Sequence, residues 1–158
     1  MFGLFQSPRM RDQQLGELVR SRGLWRGTLP VDSGLLVPLA IAGNRTEPDK
    51  MALAAAREVL AQLIHWRPAI EQALFEHYLP YAEAVAEGEI EASASVPQIG
   101  VASEVWLHVS LSFIAVAPLG AILTTELGYT VAWDEEHLLG ARFQSNTLVE
   151  LCGSTVPA

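Results

Sequence analysis

A single cysteine, Cys152, occurs in 158 residues. No intrachain disulfide can form, and the cysteine usage does not point to an oxidising compartment. Lysine is almost missing too, with Lys50 alone against nine arginines. Acids outnumber bases 18 to 10, a net charge of −8. That balance argues against nonspecific nucleic-acid binding and against attraction to anionic lipid. There is no glycine-rich phosphate loop, no His-Glu-x-x-His, no Cys-x-x-Cys and no Gly-x-Ser-x-Gly. Nucleotide binding, the common zinc sites and elbow-type hydrolysis therefore lack support. The longest apolar stretch, Val105 to Leu123, is interrupted by His108, Ser110, Ser112, Pro118 and Gly120, too broken for a membrane span. Met1 to Phe5 is apolar but short and without a basic flank, and is expected not to be a signal peptide. These absences predict a soluble cytoplasmic protein without cofactor, membrane or nucleic-acid partner.

What is present is core-building material. Half the residues are hydrophobic and 18% are charged, which excludes a disordered chain. The length predicts one domain, residues 1–158, with its own core. Residues 1–45 carry six arginines against three acids, a net of +3, and residues 46–158 carry 4 bases against 15 acids, a net of −11. The simplest reading is that the two parts pack together and partly balance.

Periodicity divides the chain into three regions. In residues 15–43, Leu15 to Val19 and Leu24 to Leu29 read as strands around a Ser21-Arg22-Gly23 turn, and Ser33-Gly34 turns the chain again. Leu35 to Ile41 is a third strand whose Pro38 predicts a sheet edge or a bulge. In residues 46–88, Thr46 is a capping candidate, and Ala52, Ala56, Val59 and Leu63 line one helical face. Pro68 is expected to end this helix and begin a second, with a kink or break at Pro80 and a stop at Gly88. In residues 103–153, Ser103 could cap one turn, after which Val109, Leu111 and Phe113 alternate with serines. Pro118-Leu119-Gly120 then reads as a turn. Leu123, Thr125, Leu127, Tyr129, Val131 and Trp133 are expected on one strand face, followed by strands from Leu139 and Thr147 around a Gln144-Ser145-Asn146 turn. The prediction is an α+β domain, an antiparallel sheet packed against two main helices.

The most conspicuous chemical cluster is Asp134-Glu135-Glu136-His137. Three carboxylates and an imidazole could bind a divalent metal or supply a general acid and base. Adjacent strand residues point to opposite faces, however, so the four converge only if the chain turns; a polar turn or bulge is the competing account. His77 falls beside the apolar helical stripe and reads as a packed histidine. His108 near Ser110 and Ser112 lacks an orienting acid. Cys152 reads as a buried structural thiol. Trp25, Trp66, Trp106 and Trp133 are spread one per region and read as core anchors whose indole N–H groups find partners at the periphery.

Trp133 to Gly140 reads Trp-Asp-Glu-Glu-His-Leu-Leu-Gly. This resembles uncharacterised bacterial domain-of-unknown-function families with a Trp-Asp-Glu-Glu-His-Gly-Leu-Gly stretch in the C-terminal sheet, with Leu138 standing where a glycine is expected. Leu15-Gly16-Glu17-Leu18 and Leu24-Trp25-Arg26-Gly27 look like the opening of related families. The resemblance implies strands, a helical insertion and a final sheet, and no established activity. Small acidic bacterial domains of this general kind look like immunity proteins, which block a toxin. The expected function is a non-catalytic protein-binding domain with an acidic surface. The alternative is a metal-dependent or hydrolytic enzyme using Asp134, Glu135, Glu136 and His137.

Overall fold

The computed structural model describes residues 6–31, 34–91 and 96–154. Ser33 of the expected turn, the apolar start 1–5 and residues 92–95 of the expected loop lie outside the described residues. Eight strands form one sheet in chain order: β1 (Arg9–Asp12), β2 (Gly16–Ser21), β3 (Leu24–Val31), β4 (Leu35–Ile41), β5 (Val109–Leu119), β6 (Ile122–Val131), β7 (Asp134–Gln144) and β8 (Thr147–Gly153). All neighbours are antiparallel except β4 and β5, which run parallel. A parallel pair needs a long crossover. It is supplied by the helix α1 (Lys50–Ala86) and a 3₁₀ helix, Ala102–Leu107. The result is an α+β arrangement.

Turn chemistry sets the hairpins. Arg22-Gly23 and Ser145-Asn146 both carry two consecutive positive φ angles, the pairing that matches strand twist in a two-residue loop. The β5–β6 turn is Gly120-Ala121, two residues later than Pro118 suggested, and Pro118 and Leu119 remain in the strand. β1 was not foreseen. It is four residues long, and its Arg9 and Arg11 are exposed.

The expected pair of helices is one helix of 37 residues, with Pro68 and Pro80 inside it. Proline deletes the bond to the carbonyl four residues back, here those of Ile64 and Glu76. Both prolines and both of these residues are exposed, so water can satisfy the freed carbonyls. The opposite face carries a buried stripe of Ala52, Ala56, Val59, Trp66, Ile70, Leu74 and Tyr78 that runs past Pro68. It packs on Leu39, Ile41, Ile114, Val116, Leu127 and Ala141 of the sheet. The N-cap is Asp49, whose carboxylate accepts from Ala52 N–H at 2.9 Å, and not Thr46. Thr46 and Glu47 instead donate their backbone N–H groups to Asn44 Oδ1. The 3₁₀ helix likewise starts from Val101, without a side-chain cap at Ser103.

Two irregularities change which face residues take. A bulge between Leu111 and Phe113 reverses the phase of β5. Phe113 therefore leaves the face of Val109 and Leu111 and lies over Gly128 on the other side of the sheet. The β6 strand stops at Val131, so the turn is Ala132-Trp133 and Asp134 opens β7. Pairing resumes only at Leu139 opposite Tyr129, so residues 135–138 bulge out of the ladder.

The link from β4 to α1 is tight. Gly43 bridges Pro48, and a Cβ on Gly43 would sit 2.6 Å from Glu47 O and Pro48 Cα and 2.8 Å from Trp25 Cδ1. Two of those neighbours are backbone and cannot swing away. Gly43→Ala is expected to lower the unfolding free energy in urea by about 1–3 kcal/mol, the usual cost of overpacking; an unchanged midpoint would contradict this tight packing.

Candidate functional site

α1 has a length of about 55 Å at 1.5 Å per residue, far more than a strand of 11 residues spans. Its last turns therefore need other partners. Tyr78 supplies one, donating its hydroxyl to Pro97 O at 2.6 Å and accepting from Ile99 N–H at 3.0 Å. The β6–β7 turn supplies the second. Trp133 is buried and donates Nε1–H to His77 Nδ1 at 3.0 Å, while Asp134 accepts from the Tyr81 hydroxyl at 2.9 Å. His137 lies back on the same carboxylate, Nδ1 to Oδ1 at 2.8 Å.

Of the four sequence candidates, the structure brings Asp134 and His137 together. Glu135 and Glu136 are exposed on the bulge and make no hydrogen bond or ion pair among the described residues. Among the described residues no three His, Cys, Asp or Glu side chains are grouped to hold a metal ion. Burial by itself would raise Asp134, but the hydrogen bonds from His137 and Tyr81 outweigh it and hold the carboxyl below its usual range. The Asp134 hydrogen bond raises His137, and burial lowers His77 and raises Tyr81. His77 is thus suited to accept from Trp133 as a neutral ring. Chemically this is an Asp–His pair with the second imidazole nitrogen available, fastened to a tyrosine. His108 sits at the end of the 3₁₀ helix, before β5 begins, and is not on the strand face with Ser110 and Ser112.

A second polar cluster, not foreseen in the sequence, lies on the sheet face away from α1. Arg142 and Glu126 have side chains only 7% and 6% exposed and pair at 3.2 Å. Arg142 also reaches Glu150 at 2.6 Å, Cys152 Sγ at 2.8 Å and Gly153 O at 3.3 Å. Glu126 can cross β7 only because residue 140 is glycine: a Cβ there would run into the Glu126 carboxylate. Burial pushes the Cys152 thiol up, so it is a weak nucleophile at neutral pH. The strand spacing offered a signal, since Glu126, Arg142 and Glu150 stand directly opposite one another across β6, β7 and β8.

The third feature is a cleft of about 720 Å³ between α1 and the sheet. Its walls are Leu60, Leu63, Ile64 and Ile70 of α1, Pro30, Val31 and Leu35 of the β3–β4 hairpin, and Trp106, Val109 and Leu111. Ile64 is 72% exposed and Leu35 59%. Among the described residues Arg67 is the one ionised lining residue, and its guanidinium lies 4.1 Å over the Trp106 ring, whose Nε1–H is held by Glu71 at 2.7 Å. A smaller recess of about 590 Å³ lies between Tyr78, Val85, Val96 and Ile99. Neither is lined by Asp134 or His137.

Fold and site together define a mixed α+β domain with one long helix, a mostly antiparallel sheet and an apolar cleft. A family model for a domain of unknown function, DUF6985, matches residues 14–155, and the chain belongs to that family. No curated protein and no solved structure matches it. No helix among the described residues is long and apolar enough to cross a membrane.

The Asp134–His137 pair has a defined pH window. His137 is raised, so its contribution is full below the ordinary imidazole range and is lost as pH rises through the folded-state midpoint. Asp134 is lowered, so its contribution is lost as pH falls below the ordinary carboxyl range. In Asp134→Asn the NMR titration midpoint of His137 is expected to drop towards the free-imidazole value of about 6.5. A midpoint indifferent to the substitution would show that the pair is not formed in solution.

Proposed function

We propose that the chain is a single cytoplasmic domain with a non-catalytic binding role, and that it takes an apolar segment of another protein into the cleft between α1 and the sheet. The observation that carries this is the open apolar wall itself. Leu60, Ile64 and Leu35 are exposed together on the walls of one cleft, and exposed contiguous apolar surface marks interaction sites. The net charge of −8 favours a partner of opposite overall sign. Neutralising a toxin, as immunity proteins do, fits this class of binding. A random peptide library displayed on phage tests it. Apolar peptides should be enriched on the wild-type chain and lost on Ile64→Glu, a surface substitution expected to leave the melting temperature nearly unchanged. Failure to enrich any peptide that Ile64→Glu rejects would sink the proposal.

The second reading, metal-dependent or hydrolytic chemistry at Asp134, Glu135, Glu136 and His137, is favoured by the Asp134–His137 hydrogen bond and by the exposure of His137. On that reading divalent ions raise the melting temperature of the wild type but not of His137→Ala. Melting curves that ignore added zinc, manganese or magnesium would remove the metal form.

A further inference from the structure

We infer that the segment taken into the cleft is an extended strand that adds to the open edge of β4 and sets a carboxylate against Arg67. This rests on the proposed binding role of the cleft and names how the partner is held. β4 is paired with β3 along its whole length, Leu35 to Ile41, but with β5 only over Leu39–Ile41. Leu35 to Pro38 has no strand on its second side among the described residues.

The direction of its backbone groups follows from one bond. Ala42 N–H donates to Val116 O of β5 at 2.9 Å. Backbone groups alternate along a strand, so Ala40, Pro38 and Leu36 direct theirs the same way. Leu36 therefore offers an N–H and a carbonyl to the gap, and Pro38 offers a carbonyl alone. Both facing edges carry a feature that stops pairing. Pro38 lacks a donor, and β5 is bulged between Leu111 and Phe113.

The side chains agree. Leu35 and Leu36 are consecutive and are 59% and 60% exposed, so both faces of β4 are uncovered at the same place. A small molecule in the cleft would cover Leu35 and leave Leu36 bare. A strand laid along the edge covers both, because its own side chains alternate. The occupant is charge-matched by Arg67, which among the described residues makes no ion pair and is the one ionised group in the lining. An acidic side chain or a C-terminal carboxylate on the added strand would complete it.

The test uses peptides enriched on the wild-type chain. Bound peptide should slow hydrogen exchange at the Leu36 amide, and N-methylation of the peptide backbone should weaken binding. Leu36→Pro deletes the β4 donor that faces the gap, and the partner β3 ladder does not use that N–H. It should weaken binding about tenfold, the worth of one net backbone hydrogen bond, while Leu36→Ala, which keeps the N–H, should bind more tightly than Leu36→Pro. Arg67→Gln should weaken only peptides that bear a carboxylate. If Leu36→Pro does not fold, exchange and N-methylation on the wild type decide. Peptides rejected by Ile64→Glu but indifferent to N-methylation, with Leu36 exchange unchanged, would overturn strand addition and leave the cleft as a binding site. No enrichment at all would instead bring down the binding role itself. Concentration-dependent self-association abolished by Leu36→Pro would assign the edge to a second copy and overturn the partner-protein assignment.

Discussion

Three residue pairs, Leu39–Ile41 against Ile114–Val116, join the two halves of the sheet. On one side β1 to β4 form an antiparallel series, and on the other β5 to β8 form another. A parallel joint cannot be closed by a hairpin, so the long helix follows from it. The shortness of the joint has the opposite consequence. Past Leu39 and Ile114 the two edges are no longer held together, and the cleft opens where their pairing stops. Helix and cleft are thus two results of one connection, and the apolar stripe of α1 has to serve both. Leu53, Ala56 and Val59 sit in the core, while Leu60 and Ile64 on the neighbouring positions face the opening.

Much of the fold was legible in the sequence because period-2 alternation survives wherever the two faces of a strand meet different surroundings, one apolar and one polar. β6 is the clearest case, and Leu35 to Ile41 was bounded correctly from its apolar run. Pro38 was legible too, in a qualified sense: β4 is interior in the sheet order, yet its proline lies on the stretch that has only one neighbour. The prolines of α1 were misread because the rule against them assumes a freed carbonyl with no solvent, and Pro68 and Pro80 are on the wet side. The bulge at Ser112 could not be foreseen from alternation, since a bulge is the break in that pattern. The cleft was illegible for a related reason. It is made by where β4 and β5 part, which depends on non-local register, and its only local sign was the uncharged Leu35-Leu36 pair.

The Trp133 to Gly140 stretch looked like chemistry and is explained first as fastening. Trp133 and Asp134 hold His77 and Tyr81 near the far end of α1, beyond the reach of the strands. Gly140 leaves the room that Glu126 needs to reach Arg142 on the opposite face. Leu138 lies on the bulge between these two, where pairing with β6 is suspended while its carbonyl accepts from Ser154 N–H at 2.8 Å. Three of the four tryptophans have a bound N–H, Trp25 to Asn44 O, Trp106 to Glu71 and Trp133 to His77, with the rings of Trp25 and Trp133 buried and that of Trp106 partly buried. Trp66 is the exception, with its ring stacked 4.3 Å from Phe143 and its Nε1 buried without a partner among the described residues. The stacking and burial of that ring must outweigh an unmet hydrogen bond.

The edges of the sheet are not treated alike. β1, one outer edge, is four residues long and presents Arg9 and Arg11, with Arg9 paired to Glu17 at 2.6 Å. β8, the other, is bulged at the step from Arg142 to Phe143 and carries Glu150. Short length, charge and bulges are the usual protections against stray strand pairing. The inner edge of β4 has none of these between Leu35 and Val37, and Pro38 guards only its far end. An unguarded apolar edge on a protein that guards its others is hard to account for as neglect, because it would aggregate at the cost of the fold. On the proposed reading it is a surface kept open for a specific strand, with α1 and Arg67 beside it restricting what can enter.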